Sequence, residues 1–159
     1  MKKLIFVFSL FLCFTACNSN KKAITDTATP PPPPPPKGVQ FMKSDKLMPV
    51  LEVAKAENKL VFVDFYTTWC LPCKLMDEDV FTDEEFGDYM NDNFINYKID
   101  AEKGGGPDLA LLYQVMVFPT LLFLDADGNI LVRKDGAAYQ TELRNLASKA
   151  QAESQRSGE

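Results

Sequence analysis

The sequence predicts an α/β domain with a central mixed β-sheet flanked by helices. Three observations predict it. Residues 60–66 (LVFVDFY) are a nearly continuous apolar run of β-branched and aromatic side chains, as a strand buried on both faces requires, and residues 94–99 read as a second buried strand. Segments of helical periodicity stand between and after these runs. Asp127-Gly128, set between two further apolar runs, is a strong hairpin signal and brings an antiparallel pair into the sheet.

In chain order, residues 39–42 read as a short strand. Residues 45–57 read as a helix, with Leu47, Val50, Leu51 and Ala54 at helical spacing and Asn58 at its end. After the strand at 60–66, residues 72–90 read as one helix bent near Thr82. The strand at 94–99 leads into a Gly104–Gly106 loop, and Pro107 opens a short helix reaching Tyr113, as proline favours the first helical turn. Strands at 120–125 and 129–133 flank the hairpin. An amphipathic helix over 141–151 places Leu143, Leu146, Ala147 and Ala150 on one face.

The first 37 of the 159 residues differ from the rest. Residues 1–16 carry Lys2 and Lys3, an apolar run from Leu4 to Phe14, and then small residues, the pattern of a secretory signal. The run is shorter than the roughly 20 apolar residues of a membrane span. Phe14-Thr15-Ala16-Cys17 resembles the lipobox of bacterial lipoproteins, which implies Cys17 as lipid acceptor. Residues 17–37 then form a linker, in which Pro30 to Pro36 make a polyproline II spacer about 20 Å long. Residues 38–159 form one domain. Five of the chain's 17 Lys and Arg and one of its 22 Asp and Glu precede residue 38, so the domain's net charge is −9. Such a surface repels phosphate backbones, and nucleic acid is not an expected partner.

Of four cysteines, Cys13 leaves with the signal and Cys17 is assigned to lipid, which leaves Cys70 and Cys73. Trp69-Cys70-Leu71-Pro72-Cys73-Lys74 follows a buried strand and opens a helix. Free N–H groups and the macrodipole at a helix N-terminus stabilise an anion, so the Cys70 thiolate is favoured there, exposed at the helix end. Cys73 lies one turn inside, within disulfide reach. A zinc site is disfavoured, because the chain has no histidine and no second cysteine pair. A structural disulfide is the other alternative, but a bridge closing so short a loop restrains little of the unfolded chain. Redox chemistry is the better reading. Asp64, six residues before Cys70 in an apolar strand, is a candidate proton acceptor whose pKa burial should raise, or else a carboxylate bonded to backbone.

These motifs in this order resemble the thioredoxin superfamily over residues 39–152. Val63-Asp64-Phe65-Tyr66 ahead of Trp69–Lys74 matches its active-site strand and turn, and Val117-Phe118-Pro119-Thr120 its cis-proline segment. Asp127-Gly128 and Asp135-Gly136-Ala137 match its hairpin and later glycine loop. Val80-Phe81-Thr82-Asp83 looks more like the C-terminal domain of the DsbD electron-transfer proteins and related periplasmic thioredoxin-like lipoproteins. The resemblance implies a thioredoxin fold, Cys70 as nucleophile, Cys73 as resolving thiol and Asp64 as the family's buried carboxylate. It also implies a cis Pro119, with Trp69, Phe118, Pro119 and Ala137 around the sulfur as the substrate-binding rim.

The function implied is a lipid-anchored protein-disulfide reductase in the bacterial periplasm, on the outer membrane. It would use no cofactor or metal, would act on protein disulfides, and would be re-reduced by a membrane or periplasmic dithiol donor. A disulfide oxidase or isomerase, or a non-catalytic binding lipoprotein, are the alternatives. Gly104–Gly106 lacks the Lys-Ser/Thr ending of a phosphate loop, and Asp125–Gly128 lacks the remaining ligands of a calcium loop. Asp77, Glu78, Asp79, Asp83, Glu84, Glu85 and Asp88 read as a solvated helix face, with docking of a basic partner as the lesser reading.

Overall fold

The computed structural model describes residues 37–157. The signal, Cys17 and the linker before Lys37 lie outside the described residues. Ten elements follow in order: β1 (Phe41–Met42), α1 (Met48–Glu57), β2 (Leu60–Tyr66), α2 (Leu71–Asp79), α3 (Glu84–Asn93), β3 (Phe94–Asp100), α4 (Gly106–Leu112), β4 (Thr120–Leu124), β5 (Ile130–Asp135) and α5 (Gln140–Ser157).

The five strands form one sheet in the order β1-β3-β2-β4-β5. β1, β3 and β2 are parallel, β4 runs antiparallel to β2, and β5 runs antiparallel to β4. The sheet is therefore mixed, as the hairpin signal requires. Because β2 is central, both of its faces are covered, and alternate residues enter different cores. Val61, Val63 and Phe65 pack with Val50, Leu51, Tyr97 and Leu122 beneath α1 and α4. Phe62 packs with Met76, Phe86, Phe123 and Leu143 beneath α2, α3 and α5. Asp64 shares the parity of Phe62 and so points to the α2 side.

The expectation of one bent helix over residues 72–90 is corrected to two helices. The Val80 and Phe81 N–H groups both turn back to the Met76 carbonyl, at 3.0 and 2.9 Å. Asp83 Oδ1 then accepts from the Phe86 N–H at 2.7 Å and caps α3. The break puts Val80 and Phe81 into the core. The α1 start shifts to Met48 with Pro49 in its first turn, and Asn58 closes it at φ 52°. The last helix runs on to Ser157, beyond the apolar stripe that marks it in sequence. α3 lies against the entry segment so closely that a Cβ on Gly87 would stand 2.3 Å from the Gly38 carbonyl carbon.

Candidate active site

Strand β2 ends at Tyr66, and after three intervening residues the chain enters α2 with Cys70 as its N-cap. The Cys73 N–H donates to the Cys70 sulfur at 3.2 Å. Pro72, in the first turn, has no N–H to satisfy. The structure holds Cys70 and Cys73 as a disulfide with their Cα atoms 5.3 Å apart. The expectation of an exposed Cys70 is corrected: in the disulfide it is only 3 % exposed, against 1 % for Cys73. The two sulfurs differ in the helix N–H that one of them receives, more than in solvent access.

Trp69 is 65 % exposed, and its indole N–H donates to both carboxylate oxygens of Glu102 at 3.1 Å. Its ring meets Phe118 edge-on, with centroids 5.9 Å apart. The Phe118–Pro119 peptide is cis. Met116 and Val117, just before it, are exposed. Arg133 fixes the approach to this turn, donating to the carbonyls of Tyr113 and Gln114 at 2.7 and 3.0 Å. The Gly136 N–H donates to the Pro119 carbonyl at 2.8 Å, which draws the loop carrying exposed Ala137 to the cis-proline.

On the α2-facing side of β2, Asp64 is fully buried. Lys98, its Cα partner on β3, donates to Asp64 Oδ2 at 2.7 Å and also to Asp77 Oδ1 on α2. Asp64 Oδ1 is buried with no protein hydrogen-bond partner. Burial pushes the Asp64 pKa up, the Lys98 charge pulls it back only partly, and the Asp77 charge adds to the rise. Burial pulls the Lys98 ammonium down, but the two carboxylates outweigh it and its pKa is raised. The ammonium also lies over the Tyr66 ring, 4.7 Å from its centroid.

Of the seven acidic residues read as a solvated face, all but Asp77 are exposed. Asp77 is bound to Lys98, Asp83 caps α3, and Glu85 pairs with Arg144. Sequence reasoning missed Lys98, Glu102 and Arg133. Lys98 alone left a signal, a charge inside an otherwise buried strand directly opposite Asp64. Among the described residues no group of three or more His, Cys, Asp or Glu could hold a metal, and no helix is long and apolar enough to cross a membrane. A cavity of about 770 Å³ between α1, α4 and the β-hairpin contains none of these site residues.

Residues 48–151 match the family model of the thioredoxin-like domain. The chain belongs to the thioredoxin-like family. The Cys70–Cys73 spacing fits that family's paired-cysteine motif. It is 37 % identical over 92 residues to thioredoxin Y2, chloroplastic, of Arabidopsis thaliana, covering 58 % of this chain and 52 % of that one. It is 29 % identical over 107 residues to the thiol:disulfide interchange protein DsbD of Vibrio vulnificus, covering 66 % of this chain but 18 % of that protein. The chain therefore spans about half of the first relative and under a fifth of the second. Among solved structures, a Bacteroides thetaiotaomicron protein provisionally described as a disulphide-isomerase is 39 % identical. That match has a TM-score of 0.62 and covers 74 % of this chain and 93 % of that one. The thioredoxin fold of this domain is thereby established, with its mixed five-stranded sheet flanked by helices.

Proposed function

We propose that this thioredoxin-like domain reduces protein disulfides with the Cys70–Cys73 dithiol. The observation that carries the reading is the Cys73 N–H directed at the Cys70 sulfur on the first turn of α2. That donor and the helix N-terminus stabilise negative charge on Cys70, so Cys70 is the attacking group. Its thiolate attacks one sulfur of a substrate disulfide, forming a mixed disulfide and expelling the first substrate thiolate, which takes a proton from water. Cys73 then gives its proton to ionised Asp64 through a water at Oδ1, and its thiolate attacks the Cys70 sulfur. The second substrate thiolate leaves, and the Cys70–Cys73 disulfide remains. Two electrons have passed from the dithiol to the substrate, and a partner dithiol must return them.

Trp69, Phe118, Pro119 and Ala137 form the binding rim, where an extended substrate segment meets apolar surface beside the sulfur. The reducing direction is supported by the absence of histidine from the chain, since no imidazolium lies between the cysteines to stabilise a thiolate further. We assign residues 1–16 to a lipoprotein signal, Cys17 to lipid attachment, 18–37 to a spacer and 38–159 to the domain. This places the protein on a periplasmic membrane face, the outer membrane in our reading, with no nucleic-acid partner. DsbD relatives support exchange with protein dithiols. Likeness to the Bacteroides protein favours isomerase activity as the second reading. Insulin reduction by the prereduced protein tests the first: precipitation of the freed insulin chains that depends on Cys70 supports it, and none contradicts it. Reactivation of scrambled ribonuclease without net reduction would favour the second.

A further inference from the structure

We propose that Asp77 is a positioning residue of the redox site: it shares Lys98 with Asp64 and thereby keeps Asp64 able to hold a proton. Asp77 sits four residues after Cys73 on α2, so both side chains lie on one helix face, one turn apart. Lys98 reaches that face from β3 and bridges it to β2, bonded to Asp64 on one side and Asp77 on the other. One ammonium thus serves two carboxylates. Asp64 is completely buried, whereas the Asp77 side chain is 44 % exposed.

The unequal burial decides which carboxylate gives way. The Asp77 side chain is open to solvent in part, so its carboxylate is desolvated less than that of Asp64. Asp64 is fully buried and its Oδ1 has no protein partner, so a shared cation neutralises it incompletely. A Lys98 devoted to Asp64 alone would hold it ionised more firmly. It would also lack the neighbouring negative charge that makes proton uptake favourable.

The other groups facing Asp64 do not take over this task. β2 itself contributes Tyr66, whose ring lies beneath the ammonium, and β4 sets Leu121 opposite Asp64. From β1 and the α2–α3 turn, the Phe41 and Phe81 rings lie 5.7 and 5.2 Å from Lys98 Nζ. The cysteines of α2 do not titrate while they are joined as the disulfide. Lys98 and Asp77 are the charged groups acting on Asp64 among the described residues.

This inference rests on Asp64 being the proton acceptor, but it is tested without turnover. In the oxidised protein the Asp64 carboxyl carbon is titrated by ¹³C NMR, in the parent and in Asp77→Asn and Asp77→Glu. Asp77→Asn should lower the midpoint by about one pH unit, and Asp77→Glu should restore it most of the way. An unchanged or raised midpoint in a folded Asp77→Asn protein overturns the proposal. If Asp77→Asn does not fold, Asp77→Glu decides, because a longer acid that still reaches Lys98 must keep the midpoint within a few tenths of a unit. The pH profile of insulin reduction, read in parallel, should move down by the same amount. A displaced carboxyl midpoint without any insulin reduction would sink the functional reading and leave the shared cation standing.

Discussion

The Cys73 backbone N–H points at the Cys70 sulfur from 3.2 Å, so the two cysteines of one short turn are chemically unequal. Cys70 caps the helix and Cys73 is a member of it. Their solvent exposures are nearly equal, so accessibility does not separate them. The hydrogen bond does.

From this inequality, Cys70→Ser should abolish disulfide reduction. Cys73→Ser should retain a nucleophile and accumulate mixed disulfides, since the resolving attack is gone. Non-reducing electrophoresis with mass spectrometry reads the trapped adducts. Equal trapping by the two variants would mean that the roles are reversed or shared.

Asp64→Asn should slow reduction by about 10²-fold near neutral pH, the low end of a general base's contribution. It should also change how stability depends on pH. In the folded protein the raised Asp64 pKa means it binds a proton more tightly than in the unfolded chain. Its contribution is therefore fully present below the ordinary carboxylate pKa of about 3.9 and is lost as pH rises through the folded value. Urea melts across pH should show that loss in the parent and its absence in Asp64→Asn, where Lys98 still has Asp77. Parallel curves for both proteins would refute the assignment.

Gly87→Ala tests the packing that carries α3. The new Cβ would meet the Gly38 backbone at 2.3 to 2.6 Å, and that backbone is itself held at φ +80°. Overpacking against main chain that cannot rotate away should lower stability by about 2 kcal/mol. Thermal unfolding followed by circular dichroism checks it, and an unchanged melting temperature would show that the segment at Gly38 yields.

Cys17→Ser should release an active protein from the membrane, because the Phe14–Cys17 box is the anchor assigned to it and its linker has no core-forming residues. Fractionation after signal cleavage reads the outcome. A variant that stays in the membrane pellet places the anchor elsewhere.

Much of this architecture is legible in the chain because its central strand is so uniformly apolar. LVFVDFY can be buried on both faces, and Asp127-Gly128 fixes the turn that makes the sheet mixed. The break between α2 and α3 was not legible, since Val80 and Phe81 continue the apolar spacing and only Asp83 betrays a new cap. Cys70, Cys73 and Asp64 stand out by position. Lys98 shows only as a charge within a buried strand, and its partnership with Asp77 is not legible, because it joins residues 21 apart across two elements. A periodicity argument sorts residues by face, and cannot say that a lysine from one strand will reach an acid on a helix above it.

The most direct test of the account is the potential of the Cys70–Cys73 couple, obtained by equilibrating the protein with glutathione and quantifying the oxidised fraction. A strong oxidant of this fold owes its potential to a reduced thiolate held at a very low pKa. Here one helix N–H supports Cys70, the chain has no histidine, and an ionised Asp64, acting as the proposed proton acceptor, would oppose a second negative charge. The account predicts a value near that of thioredoxin, about −270 mV. A value above about −150 mV, approaching the about −120 mV of DsbA, would contradict the reductase reading.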